Sequence, residues 1–191
     1  MGKPFKEQLE NVRGKIRRIW MWDPFKRFSG GLLYYLNKSN DLRAAALVLS
    51  ERKDINSDVF AMLAGQSLEV LLKGILKGLQ DGYPKHHKLV DLWERTGIPL
   101  SDDERTLLEI LTEYVTWAGK YPVALSPKAM TLGREILGKR YPRVGNAAKM
   151  LAADPVTVER YDVLWTRLHA CFFEINRATF ESAEMGYGID S

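Results

Sequence analysis

Residues 57–79, SDVFAMLAGQSLEVLLKGILKGL, constrain the fold of this chain more than any other stretch. Leu68, Leu71, Leu72, Ile75, Leu76 and Leu79 fall at i, i+3, i+4, i+7, i+8 and i+11. That is one apolar stripe of a helix with 3.6 residues per turn, and such a stripe must be buried against other elements. Ser57 fits the N-cap, where its hydroxyl accepts from a free first-turn N–H. Glu69, Lys73 and Lys77 stand four apart on the polar side, as a supporting surface series. Gly65 follows Ala61 and Ala64, a run of small residues that lets another helix approach closely.

The same period recurs along the chain, while alternating strand-type patterns are scarce. Residues 89–97 form a short apolar helix stopped by Gly97 and Pro99. Ser101 and Glu104 make a capping box for a helix whose stripe is Leu107, Leu108, Leu111, Tyr114, Val115 and Ala118. A short helix fits 127–138. The last long helix is expected over 155–181, with Pro155 in its first turn and Val158, Tyr161, Leu164, Trp165, Leu168, Phe172 and Ile175 inward. Upstream, 5–20 reads as a basic amphipathic helix, 21–39 as broken by Pro24 and Gly30–Gly31, and 40–53 as a helix capped by Asn40. The expected fold class is all-α. The expected organisation is an N-terminal helical extension over 1–39, a bundle over 40–181 and a fraying tail over 182–191.

Composition narrows the class further. The chain has 191 residues, 46% hydrophobic and 27% charged, enough for a core and too apolar for wholesale disorder. Its single cysteine, Cys171, excludes an internal disulfide framework. No run of 18 apolar residues occurs, so a membrane-spanning helix is not expected. The N-terminus lacks the apolar core of a secretory signal, and the expected location is cytoplasmic. No Gly-rich phosphate loop, nucleophile elbow, zinc pattern or helix-turn-helix signature occurs, and neither a cofactor nor a metal is expected.

The net charge of +4 hides its distribution. Residues 1–27 carry eight basic side chains against three acidic ones. Residues 119–149 carry seven, Lys120, Lys128, Arg134, Lys139, Arg140, Arg143 and Lys149, against the single Glu135. The stretches 50–118 and 150–191 are each net −4. Two basic blocks are thus set in an acidic body, which bears on partners more than on fold.

Three segments, taken in order, resemble the HEPN family. They are AGQSLEVLLKGILKG at 64–78, HKLVDL at 87–92, and the helix ending WAGKYPV at 117–123. Members of that family are bundles of four or five helices. They often show an apolar helix with a central Glu and Lys, a His-x-Leu segment, and an aromatic-rich helix ending near Arg/Lys-Tyr-Pro. The resemblance covers roughly 40–181 and leaves 1–39 outside. It implies either a metal-independent RNase, dimeric and often a toxin, or a non-catalytic module that binds RNA or a partner such as a nucleotidyltransferase or an antitoxin. The nuclease branch carries an arginine followed by a histidine after four to six residues. None of the fourteen arginines here has His86, His87 or His169 at that spacing. The resemblance therefore favours a binder, with a homodimer as the family's usual state.

Several residues are candidates for chemistry. His86 and His87, in a lysine-flanked turn, suit acid–base work or a phosphate contact, although the resemblance gives His87 a structural, helix-capping place. A divergent RNase would draw on His87 with Arg160 or Lys120. His169 and Cys171, two apart on a helix, point away from each other and make no dyad. Glu69 with Lys73 is either an inward polar pair or a surface ion pair. In the block 119–149, Lys120, Lys128, Arg134, Lys139, Arg140 and Arg143 can neutralise phosphates while Tyr121 and Tyr141 stack on unpaired bases. The N-terminal block, with Arg13, Lys15, Arg17, Arg18, Trp20 and Trp22, suits nucleic acid, a membrane surface or the bundle itself. The expected function is a non-catalytic HEPN-like module that binds RNA or another anionic partner through 119–149. The alternatives are the divergent RNase and a protein-interaction module paired with a nucleotidyltransferase or an antitoxin.

Overall fold

The computed structural model describes residues 4–7, 31–52, 57–79, 84–118, 126–138, 140, 143–144, 150–151 and 154–186. Six helices carry the described fold: α1 (Gly31–Ser50), α2 (Ser57–Gly78), α3 (Leu89–Thr96), α4 (Asp102–Glu113), α5 (Pro127–Gly138) and α6 (Val158–Gly186). A π-helical turn, Tyr114–Ala118, continues α4. The one β feature among the described residues is an antiparallel pair of two-residue strands, β1 (Arg143–Val144) and β2 (Met150–Leu151). Among the described residues the regular structure is otherwise helical.

The apolar stripe makes α2 the centre of the bundle. Leu68, Leu71, Leu72, Ile75 and Leu76 have no exposed surface, and α2 packs against α1, α3, α4, the π turn and α6. By length and hydropathy alone α2 is apolar enough to cross a membrane. Its apolarity has a local use, since 67% of its most apolar window is buried within the bundle. Glycine provides the close approach. A Cβ at Gly65 would lie 2.6 Å from Val115 Cγ2 and 3.1 Å from the Leu111 carbonyl oxygen. One at Gly74 would lie 2.8 Å from Tyr35 Cβ.

Three sequence-based boundaries move. The helix expected from Asn40 begins at Gly31, so Asn40 is an exposed mid-helix residue and not a cap. Leu32, Tyr35, Leu36 and Ser39 form the reason, a second i, i+3, i+4, i+7 face that packs on the core. Residues 31–39 therefore belong to the bundle. At the other end, α6 starts at Val158, and Pro155 stands three residues outside it. It then runs to Gly186, past the expected boundary at 181. Residues 5–7 are helical, and the Phe5 N–H donates to the Gly97 carbonyl at 3.3 Å. The rest of the expected N-terminal helix, with the basic and aromatic residues 13–28, lies outside the described residues.

The expected helix ends are found where side-chain chemistry defines them. Ser101 and Glu104 form a complete capping box at the start of α4. Gly97 ends α3 in the left-handed region at φ 72°, where glycine bears no Cβ penalty. A polar thread also joins three helices through the core. Trp165 Nε1–H donates to Ser39 Oγ at 3.1 Å, and Ser39 Oγ donates to the Ser67 carbonyl at 3.0 Å. Ser67 Oγ and the Tyr161 hydroxyl lie 2.6 Å apart. Each polar group of this thread thereby has a partner, and α1, α2 and α6 are held in one register.

Candidate functional site

Two polar centres emerge from this bundle. The first joins Glu69, Lys73 and His87. Glu69 is turned inward, with only 9% of its side chain exposed, so the expectation of a solvent-facing series fails for it. The carboxylate is satisfied from two sides. Lys73 Nζ donates to Glu69 Oε1 at 2.6 Å from one turn along α2, and His87 Nδ1 lies 2.9 Å from the same oxygen.

The turn 84–88 delivers His87 there because the residue two positions on, Leu89, is wholly buried. The Leu89 N–H is satisfied by Thr112 Oγ1 at 3.1 Å, which ties the start of α3 to α4. Lys88, not His87, occupies the N-cap of α3, so the expected helix-capping role of His87 is replaced by a bond to α2. A carboxylate accepts, so His87 donates through Nδ1–H, which in the neutral ring leaves Nε2 as the acceptor nitrogen. The imidazole is 45% exposed. The neighbouring His86 takes the opposite tautomer. Its Nδ1 accepts from the Lys88 N–H at 3.2 Å, and its Nε2 donates to Asp91 at 3.1 Å.

The second centre is Arg140, and it overturns a sequence assignment. Arg140 is expected to face an anionic ligand, yet its side chain has no exposed surface. Its fork is spent on the protein. Nε–H reaches both Asp154 carboxylate oxygens at 2.9 and 3.0 Å, and Nη2 adds 2.7 Å to Asp154 Oδ2 and 3.1 Å to Ser57 Oγ. Nη1 donates to Asp58 Oδ1 at 3.1 Å and to the Tyr114 hydroxyl, and the guanidinium also lies over the Tyr114 ring. Asp154 Oδ1 in turn accepts the Val156 N–H at 2.8 Å, just before α6. One side chain thus fastens the middle of the basic segment to the start of α2, the end of α4 and the approach to α6. Burial works against the guanidinium charge, but the bonds and charges of Asp154 and Tyr114 hold its pKa above the ordinary range. Burial pushes the Tyr114 phenol up to about 12, against the pull of Arg140.

The other described site residues lie on several different elements. Arg134 is exposed on α5. Lys128 lies in α5 and Arg143 in β1. Lys120, Tyr121, Lys139 and Tyr141 lie outside the described residues. Arg160 is at the surface with Asp103, 3.2 Å away, whereas His87 meets Glu69. His169 stacks on Trp165 at 4.4 Å, and burial with the charge of Arg43 lowers its pKa. Cys171 is half-buried on the same helix, and burial raises its thiol pKa. The sequence reading did not single out Asp58 or Asp154 as site residues. They stand 82 and 14 residues from Arg140, so no local spacing marks the cluster.

No family model matches the chain, and neither a curated protein nor a solved structure is significantly similar to it.

Proposed function

We propose that this protein is a non-catalytic, HEPN-like helical module that binds single-stranded RNA through residues 119–149. The observation that carries the reading is the charge of that segment, seven basic side chains against one acidic. Arg140 is withdrawn into the protein and anchors the segment, while Arg134 faces solvent on α5. An anchored basic segment positions its remaining cations at a lower ordering cost than a free one would. Filter binding of labelled single-stranded RNA across a salt series tests this. The expected log–log slope is about −0.7 per phosphate contacted, and Arg134→Ala should weaken binding and flatten the slope. Absence of binding at low salt, or binding indifferent to salt, refutes it.

A second reading, a metal-independent RNase, rests on His87. The inward Glu69 holds the ring so that the acceptor nitrogen Nε2 is the one left for a proton. Incubation of labelled RNA in EDTA with wild type and His87→Ala separates the two. The binder leaves the RNA intact in both, whereas cleavage lost only in His87→Ala assigns the enzyme.

A further inference from the structure

The face opposite in chemistry to the basic blocks is a trough on the α3 side of the bundle. A hollow of about 310 Å³ lies between α3, α4 and α5. Its walls are overwhelmingly apolar, with Val90 and Ile136 on the two sides. Asp91, Glu94, Glu109 and Glu113 line it, and Lys88 is the single basic residue among the lining. A second hollow of about 600 Å³ shares Asp91 and Glu94 with the first and continues past Gly97 to Ile98 and Leu100. There Arg95 and Arg105 balance the two shared carboxylates. The charge is therefore graded, net negative where α4 lines the first hollow and balanced in the second, whose lining mixes polar and apolar surface.

We propose that this trough docks a basic amphipathic segment of a partner protein. Two features select that occupant. Two neighbouring hollows share Asp91 and Glu94 on α3, an arrangement that offers more to a segment of chain than to a compact ligand. Its charge bias calls for lysine or arginine beside an apolar anchor, with the cations over Glu109 and Glu113 and the anchor between Val90 and Ile136. The carboxylates already have intramolecular contacts. Asp91 meets His86 at 3.1 Å, Glu94 meets Arg105 at 2.6 Å, and Glu113 accepts from Trp117 Nε1–H at 2.7 Å. Each carboxylate has about four acceptor positions, so these contacts leave room for an incoming donor. They also hold the rim in place before the segment arrives.

The test uses the full chain and a short fluorescein-labelled peptide of leucine and lysine at helical spacing, read by anisotropy. The lysine peptide is expected to bind, and a counterpart with glutamate for lysine is not. Asp91→Lys/Glu109→Lys should weaken binding by about tenfold or more, because it places like charge against the ligand. Asp41→Lys/Glu51→Lys, equal in charge change and placed on exposed positions of and just after α1, should leave it unchanged. If the first double variant does not fold by circular dichroism, Asp91→Asn/Glu109→Gln takes its place, with a loss of about threefold. Equal losses in the trough and control variants would mean a general attraction and overturn the proposal. So would wild-type affinity in the trough variants. Sedimentation of the protein alone supplies the last arm. A dimer broken by the trough variants and by the lysine peptide gives the trough to a second copy instead.

Discussion

Replacing Arg140 with alanine separates the structural reading of this residue from the ligand-binding one. In the folded chain the side chain is fully buried and makes charge-assisted bonds to two carboxylates, a phenol and a hydroxyl. Breaking a fully buried ion pair by deleting one partner costs about 3–5 kcal/mol. The carboxylates here are not fully buried, since the side chains of Asp154 and Asp58 are 27% and 38% exposed. Water entering the vacated space therefore recovers part of the loss, and we expect about 2–4 kcal/mol. Arg140→Lys keeps the charge but loses the fork that spans Asp154, Asp58 and Ser57, and should cost about 1–2 kcal/mol. Urea unfolding followed by circular dichroism gives both values from the midpoints at constant m. The contrast is Arg134→Ala, which removes an exposed side chain and should stay within about 0.5 kcal/mol of wild type. A loss below about 0.5 kcal/mol for Arg140→Ala, with RNA binding weakened as in Arg134→Ala, would refute the anchor and restore a ligand-facing arginine.

Gly65→Ala should destabilise by about 1–3 kcal/mol in thermal melts, despite a gain of about 1 kcal/mol in helix propensity. The new Cβ meets Val115 Cγ2 at 2.6 Å and the backbone oxygen of Leu111 at 3.1 Å, and that oxygen has little freedom to yield. Ser101→Ala removes one half of the capping box of α4 and should cost about 1 kcal/mol by the same measurement, with Asp102→Ala beside it much milder. Alkaline pH should lower stability as follows. The Tyr114 phenol titrates near 10 when unfolded and at about 12 when folded, so its contribution is complete below pH 10 and lost as pH rises to 12. Urea midpoints between those pH values should fall, and Tyr114→Phe should fall less steeply; identical pH slopes would refute the assignment.

The helical fold was legible wherever a stripe of one residue class sets the geometry. The leucines of α2, the capping box at Ser101 and the stop at Gly97 each work through neighbours within one or two turns, so spacing alone reveals them. The start of α1 was misread for a related reason. Gly30–Gly31 signalled a break, and the helix begins at Gly31, but Asn40 offered a stronger capping pattern and masked the weaker face of Leu32, Leu36 and Ser39. The polar centres were legible only in part. Glu69 and Lys73 are one turn apart, but the sequence does not tell which side of α2 faces inward at Glu69, because His87 arrives from a separate turn 18 residues on. Arg140 was least legible. A cation in a run of cations looks like its neighbours until carboxylates 82 and 14 residues away are folded around it.

That inward turn changes what the basic segment can do. Counted along the chain, residues 119–149 form a uniform cationic stretch. In the fold, Arg140 divides it, and its charge is matched within the protein by Asp58 and Asp154. Salt and a bound phosphate should act on an exposed cation such as Arg134 far more than on Arg140, because exposed charges are screened while the Arg140 side chain has no exposed surface. If the segment binds RNA as proposed, the anchor should hold it at salt concentrations that remove the RNA. Two salt dependences should therefore be separable in one protein: a steep fall of RNA affinity, and an almost flat midpoint of urea unfolding over the same range. A midpoint that falls in parallel with the affinity would mean that the segment is held down by the same exposed charges that hold the RNA, and the division of labour argued from Arg140 would fail.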